Sequence, residues 1–514
     1  MKIALAQLNS TVGDFAGNVD KMVSLLNQAR ENKADLVIFP ESAWMGNPLK
    51  DAVLRPDFVR AGQSALNRVL PYTKGIGVIL EADVPRSETA GLKTGRDGRK
   101  AHQKKEVLLI EDGIITHKTE EHGNSLVFRG LRLGFSFDTV DSADSPDLLI
   151  SMSAFPYYIN GLQQRISMLS SLAKTNAVPL LAVNQVGGND ELIFDGSSMA
   201  FDENGVLTHL ASHFEEDLLI YDTQHNYQPA NIPQEDISWV YRALILGLRD
   251  YFHKTGFKST LLGLSGGVDS ALAACLAVDA LGRENVLGVY MPSRYSSEHS
   301  AADARKLAEN LGIEYRILPI ENIFASYLSL MNEGKEARGD LAEENIQARI
   351  RGDILMCLSN REGRMLINTS NKSESAVGYS TLYGDMCGGL APIADIPKTK
   401  LYQLCEYINR NWERIPNNIL TKPPSAELRP DQLDRDSLPD YNVLDEIIRM
   451  YVEENLSADE IAARGPDREL VVKIMNMIDQ AEYKRRQAPP VLKITSHAFT
   501  VDGRMPVIQR FRRN

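Results

Sequence analysis

Apolar residues come in short runs through the first 220 positions, each run long enough for a strand and too short for a helix. They predict strands at 3–8, 34–39, 77–81, 107–111, 131–137, 147–151, 178–183 and 197–200. Between the first two, positions 18–32 follow the 3.6-residue period of a crossover helix. Strand–helix–strand order implies a layered α/β domain. The stretch 87–105, rich in Lys, Arg, Gly and Thr, reads as an exposed loop. Positions 222–236, DTQHNYQPANIPQED, hold two prolines and no apolar period, and read as a linker. The helical period returns at 237–254. Strand (259–264), helix (270–280), strand (286–290), helix (297–310) and strand (314–319) follow, which predicts a doubly wound parallel sheet. The expected domains are therefore 1–221 and 237–514, joined by 222–236.

Composition narrows the class without naming the chemistry. With 43% hydrophobic and 24% charged residues over 514 positions, the chain has the material for sizeable cores, and disorder as its main state is excluded. The net charge of −12 argues against broad binding to nucleic acid or an anionic membrane, although the tail from Glu482 is locally basic. No apolar run approaches the roughly 18 residues of a membrane span. The opening MKIALAQLNSTVGDF lacks the charged and apolar regions of a signal peptide. Four cysteines, Cys275, Cys357, Cys387 and Cys405, form no CxxC pair, so neither a disulfide framework nor structural zinc is expected. A cytoplasmic location is the expectation.

The sharpest local signal is Ser265-Gly266-Gly267-Val268-Asp269-Ser270. An apolar strand, KSTLLGL, leads into it and a helical run, SALAACLAVDAL, follows. The glycines permit a sharp turn and a close backbone approach. The hydroxyls of Ser265 and Ser270, with N–H groups at the helix N-terminus, suit an anion. No GK[ST] ending is present, so this is not a Walker A loop. Asp269 would repel a bare phosphate and suits a magnesium ion instead.

SGGVDS resembles the PP-loop of the ATP pyrophosphatases, which split ATP to AMP and pyrophosphate while adenylating a substrate. Further segments choose among that superfamily's branches: MPSRYSSEHS at 291–300, ENIQARIR at 344–351, NKSE at 371–374, YGD at 383–385, KTK at 398–400, TKPPSAEL at 421–428 and EYKRRQ at 482–487. Together they resemble the large, two-domain NAD+ synthetases. The resemblance implies ATP bound by Ser265, Gly266, Gly267, Asp269, Ser270, Thr369, Lys422 and Ser425. It implies deamido-NAD+ bound by Asn345, Arg349, Glu374, Asp385 and Lys484, with Asp269 and Glu374 as a magnesium pair. Asp269, Glu374, Asp385 and Lys398 would carry the catalysis. Asn345 and Arg349 stand at i and i+4, so they share one helix face. Cys387 reads as a packed loop residue, because the chemistry needs no thiol. The segment 422–428 is expected to be a mobile loop ordered by ATP.

Residues 1–220 resemble the nitrilase-like glutamine amidase domain of the same enzymes, through MKIALAQLN, DLVIFPE at 35–41, LRPDF at 54–58, VNQVGG at 183–188 and FDGSS at 194–198. That resemblance implies a four-layer α-β-β-α sandwich and a Glu–Lys–Cys catalytic set. Glu41 matches the base, and Lys118 stands for the oxyanion lysine. No cysteine occurs before Cys275, and Ser136, in Gly134-Phe135-Ser136-Phe137-Asp138, falls near the nucleophile position. A serine hydroxyl is a far weaker nucleophile without its own base. The amidase site is thus expected to be a relic, and the domain a scaffold or a support for oligomerisation.

The resulting expectation is ATP-dependent amidation of deamido-NAD+ through an acyl-adenylate, with magnesium as cofactor, ATP as co-substrate and free ammonia as donor, in a homo-oligomer. The alternative keeps glutamine as the nitrogen source, through an atypical amidase site or a separate glutaminase. An independent amide hydrolase is opposed by the missing thiol, a nucleotide sensor by the full set of carboxylates and lysines, and a tRNA-modifying enzyme by the acidic charge.

Overall fold

A computed structural model describes residues 1–85, 103–120, 125–135, 146–332, 338–430 and 432–513. The chain divides into two compact units, Met1–Glu235 and Asp236–Asn514. Among the described residues no helix is long and apolar enough to cross a membrane.

In the first unit, the strands are β1 (Lys2–Gln7), β2 (Leu36–Ile38), β3 (Gly77–Pro85), β4 (Gln103–Glu111), β5 (Ile114–Glu120), β6 (Leu126–Phe128), β7 (Leu131–Phe135), β8 (Leu148–Ser153), β9 (Leu180–Asn184), β10 (Val186–Asn189), β11 (Leu192–Asp195), β12 (Met199–Phe201), β13 (Leu207–Leu210) and β14 (Asp217–Asp222). One six-stranded sheet runs β14-β1-β2-β3-β4-β5 and a second β13-β12-β9-β8-β7-β6, while β10 and β11 form a hairpin. Side chains alternate across a strand. Ile3 and Leu5 of β1 therefore face inward and pack with Leu36, Leu133, Ile150 and Leu181 in the core between the sheets. Ala4 and Ala6 face outward, under Met22 and Leu26 of α1 (Phe15–Glu31) and Ala65 and Val69 of α2 (Pro56–Val69). Helix α3 (Gly161–Asn176) packs on β9 and β12 of the second sheet. This is the expected α-β-β-α layering.

The second unit alternates α4 (Ile237–Thr255), β15 (Thr260–Gly263), α5 (Val268–Leu281), β16 (Val286–Tyr290), α6 (Glu298–Leu311), β17 (Glu314–Ile317), α7 (Glu321–Met331), α8 (Leu341–Glu362) and β18 (Met365–Leu366). Helices α9 (Lys372–Val377), α10 (Lys398–Asn409), α11 (Asn417–Thr421) and α12 (Tyr441–Ile448) follow. The sheet is parallel throughout, in the order β17-β16-β15-β18. The chain moves outward from β15 through β16 to β17 and then returns to the other side of β15. Ligands in such sheets bind beyond the carboxyl ends of the strands where that reversal occurs. Here the reversal lies between β15 and β18, and the segments leaving those two strands carry Ser265–Ser270 and Thr369–Glu374.

Candidate functional site

At that position a cavity of about 520 Å³ opens, lined by Ser265, Gly267, Asp269, Ser270, Thr369, Glu374, Asp385, Lys398, Lys422 and Ser425 among others. Ten expected residues from five separated segments thus meet in one place.

The loop after β15 braces itself. The Gly267 N–H donates to Ser265 Oγ at 3.1 Å, and Ser270 Oγ donates to the Gly267 carbonyl at 3.0 Å. Gly266, expected to face a ligand, does not line the cavity. It has φ +80°, and an added Cβ would stand 2.4 Å from the Ser300 carbonyl oxygen. Its glycine is required by the packing of α6 against the loop. Gly267 has φ −90°, and a methyl there would meet only Ser265 Oγ, at 3.2 Å. Gly266→Ala is therefore expected to lower stability by about 1–3 kcal/mol, with Gly267→Ala much milder. Urea unfolding of the two variants would show the contrast, and equal effects would count against it.

Beyond the loop, three charges converge. Lys398 Nζ donates to Asp269 Oδ2 at 2.7 Å and to Glu374 Oε1 at 2.9 Å. The lysine side chain is 2% exposed and the carboxylates about one-fifth. Lys398 is the first residue of α10, where the helix dipole disfavours a cation. Burial also disfavours its charge, but Asp269 and Glu374 outweigh burial and hold its pKa above the ordinary lysine value. Burial pushes the Glu374 carboxyl up to about 7; Asp269 and Asp434 add to this, while Lys398 opposes it.

One buried side chain sets the two carboxylates relative to each other. Asn371 caps α9 by accepting the Glu374 N–H at 3.0 Å, and its Nδ2 donates to Asp269 Oδ1 at 2.7 Å. Lys398 is fixed from behind, its N–H donating to Ser373 Oγ at 2.8 Å, and that hydroxyl in turn donates to Asp445.

Two oxyanions aimed at one cationic point make a hard donor set that suits magnesium, which takes one or two carboxylates and completes its shell with phosphate and water. Among the described residues no group of three His, Cys, Asp or Glu side chains is placed to hold a metal by itself.

Other expected contacts fall elsewhere. Thr381 Oγ donates to Asn345 Oδ1 at 2.7 Å, and Arg349 Nε donates to the Leu382 carbonyl at 3.1 Å. Lys484 Nζ donates to the carbonyls of Gly378 and Ser380, both at 2.7 Å. These three residues grip the segment that presents Asp385 and do not line the cavity. The wall supplied by α8 is instead Ala348, Arg351, Gly352 and Leu355. Arg351 is the cation there, lowered to about 10 by burial. Asp385 accepts the Thr381 N–H at 2.8 Å, and enclosure by the protein pushes its carboxyl up to about 6, although its surface is exposed where the cavity opens. Cys387 lines the cavity with its thiol pushed up to about 11 by burial, which suits a packed residue.

Lys422 Nζ donates to Asp303 at 2.9 Å and to Ser300 Oγ at 3.3 Å, and Glu427 accepts from Ser297 and Ser300. Asp303, Glu427, Asp434, Tyr441 and Arg351 are site residues that sequence reasoning left without a role. Arg351, Asn371 and Glu427 stood inside matched segments, whereas Asp434 and Tyr441 stood in the polar run after them.

In the first unit, Glu41 follows β2 and is half-buried. Lys118 is exposed on β5, which is separated from β2 by β3 and β4. Ser136 and most of the 87–105 stretch lie outside the described residues.

Comparison with known proteins gives matching results. Residues 240–488 match the NAD synthase family model, and residues 2–72 and 148–230 match the carbon-nitrogen hydrolase model, which skips the stretch holding Lys118 and Ser136. The chain is 42% identical to a glutamine-dependent NAD(+) synthetase of Synechocystis over 558 aligned positions, covering 99% of both. It is 39% identical to one of Aquifex aeolicus, covering 99% of the chain and 100% of that protein. Both alignments run longer than the chain itself. The solved glutamine-dependent NAD+ synthetase of Acinetobacter baumannii, in complex with ADP, superposes with TM-score 0.73 at 34% identity over 98% of both chains.

Proposed function

Because the chain belongs to the family of large, two-domain NAD+ synthetases, we propose that its Asp236–Asn514 unit amidates deamido-NAD+ at the cavity beyond β15 and β18. It is a carbon–nitrogen ligase of NAD+ biosynthesis that carries a nitrilase-like domain. The observation that supports the assignment of the site is the convergence of Lys398 on Asp269 and Glu374 beside the Ser265–Ser270 loop.

The nicotinate carboxylate attacks the α-phosphorus of ATP, and pyrophosphate leaves. Ammonia then attacks the acyl carbon of the adenylate, AMP leaves, and the amide of NAD+ remains. Lys398 and Lys422 place positive charge where the leaving pyrophosphate develops negative charge, and the loop N–H groups orient it. Asp385, with its pKa pushed up to about 6, accepts the proton released by the attacking nitrogen. Magnesium held by Asp269 and Glu374 would neutralise the triphosphate. Asn345, Arg349 and Lys484 act by shaping the segment that presents Asp385.

The relatives are named for glutamine, and this favours glutamine as the ultimate nitrogen source over the free ammonia placed first by the sequence. A thiol is what nitrilase-type hydrolysis requires, and the chain has none before Cys275. The reading that satisfies both facts is ammonia released from glutamine by a separate glutaminase and used here.

Purified protein with deamido-NAD+, ATP and magnesium should form NAD+ with ammonium chloride, and with glutamine only after a glutaminase is added. Turnover with glutamine alone would place an atypical nucleophile in residues 1–235, with Ser136→Ala as its first test. No turnover with any donor would end the assignment.

A further inference from the structure

We propose that Tyr441 and Asp434 are positioning residues that couple the 422–434 segment to the catalytic carboxylate Glu374. The inference rests on the synthetase reading above and deepens it.

Tyr441 opens α12 and sits at the junction of the site. Its hydroxyl donates to Asp434 Oδ2 at 2.9 Å and lies 3.3 Å from Glu374 Oε1, the same oxygen that accepts from Lys398. Its ring lies under the Lys398 ammonium, 5.3 Å from the centroid. One tyrosine therefore touches the cation through its face and two carboxylates through its hydroxyl.

Asp434 is 6% exposed and lines the cavity. Its N–H donates to the Pro424 carbonyl at 3.1 Å. Ser425 Oγ donates to the Gln432 carbonyl, and the Leu428 N–H donates to Gln432 Oε1 at 2.9 Å. These bonds tie the residues around Lys422 and Ser425 to the stem that ends at Asp434. A shift of that stem moves Asp434, Asp434 moves the Tyr441 hydroxyl, and the hydroxyl sets where Glu374 Oε1 rests. Lys422, Ser425 and Glu374 all line the cavity, so the chain's grip on phosphate and its carboxylate geometry change together.

Tyr441→Phe keeps the ring beneath Lys398 and removes only the hydroxyl. A hydrogen bond to a charged partner of this kind is worth about 10- to 100-fold in an equilibrium or rate. Tyr441→Phe and Asp434→Asn should each lower kcat/KM for ATP by about that factor, with KM for deamido-NAD+ changed less than about threefold. The double variant should fall no more than about threefold below the worse single, because both changes break one chain of contacts. Independently of turnover, hydrogen exchange of the 422–434 amides in protein without ligands should speed up about tenfold in both single variants, with α5 unchanged.

Multiplicative losses in the double variant, or Tyr441→Phe exchange identical to the parent chain, would overturn the coupling. Should the parent chain form no NAD+, the synthetase reading would fall, and the exchange measurement alone would still decide whether Tyr441 links the segment to the site.

Discussion

Lys398→Met is expected to cut NAD+ formation about 100- to 1000-fold and to destabilise the Asp236–Asn514 unit by about 3–5 kcal/mol at pH 8. The two losses have one origin. Lys398 is buried between Asp269 and Glu374 and is the shared partner of both. Methionine fills a similar volume but leaves two enclosed carboxylates facing each other without a cation. The pH dependence has a definite sign. Burial raises Glu374 from 4.5 to about 7 even with Lys398 present. The folded state therefore holds that proton more tightly than the unfolded state, and this contribution is full below about pH 4.5 and lost as pH rises through about 7. Without the lysine the loss must be larger, so the variant and parent should converge in urea unfolding at pH 5 and separate at pH 8. Adding Glu374→Gln to Lys398→Met should restore most of the stability and none of the NAD+ formation. A Lys398→Met chain as stable as the parent at pH 8 would contradict the buried ion triad.

What could be read in advance follows from how local each signal is. The Ser265–Ser270 loop was legible because strand, turn and helix are consecutive, and the structure places β15 and α5 around it. The parallel sheet was legible for the same reason. The face of α8 was not. A spacing of i and i+4 puts Asn345 and Arg349 on one side of a helix, but only tertiary packing decides which side meets the cavity. It chose the stripe through Ala348, Arg351 and Leu355. Asp434 and Tyr441 escaped because what gives their pairing a place in the site is Tyr441's contact with Glu374 and Lys398, far away in sequence, and their own stretch reads as an ordinary polar connection. In the first unit, α2 begins at Pro56 with proline at the first helical position, a start signal present in LRPDF. The β10–β11 hairpin turns on Asp190, whose φ of +52° is the left-handed region that Asn and Asp tolerate. Both features carried local marks that apolar run lengths alone do not weigh.

Asn371 gives the second large effect, because two substitutions separate its two tasks. Its oxygen caps α9 and its amide holds Asp269, and the side chain is fully buried. Asn371→Ala removes both contacts. It should cost about 2 kcal/mol, combining a lost cap with an Asp269 oxygen left without its amide donor, and about 100-fold in kcat/KM for ATP, since Asp269 and the start of α9 are then no longer fixed to each other. Asn371→Asp keeps the cap, because aspartate serves that position as well as asparagine. It replaces a donor to Asp269 with a second negative charge at hydrogen-bond distance. The prediction is a loss of about 3 kcal/mol at pH 8 that disappears near pH 4, where one proton shared by the pair restores a donor between them. The direction follows from linkage: a carboxylate whose pKa is raised on folding contributes most below its unfolded value and loses that contribution as pH rises. If Asn371→Asp were the milder variant at pH 8, the cap would be the residue's main task. The bond to Asp269 would then be incidental to how the two carboxylates are held together.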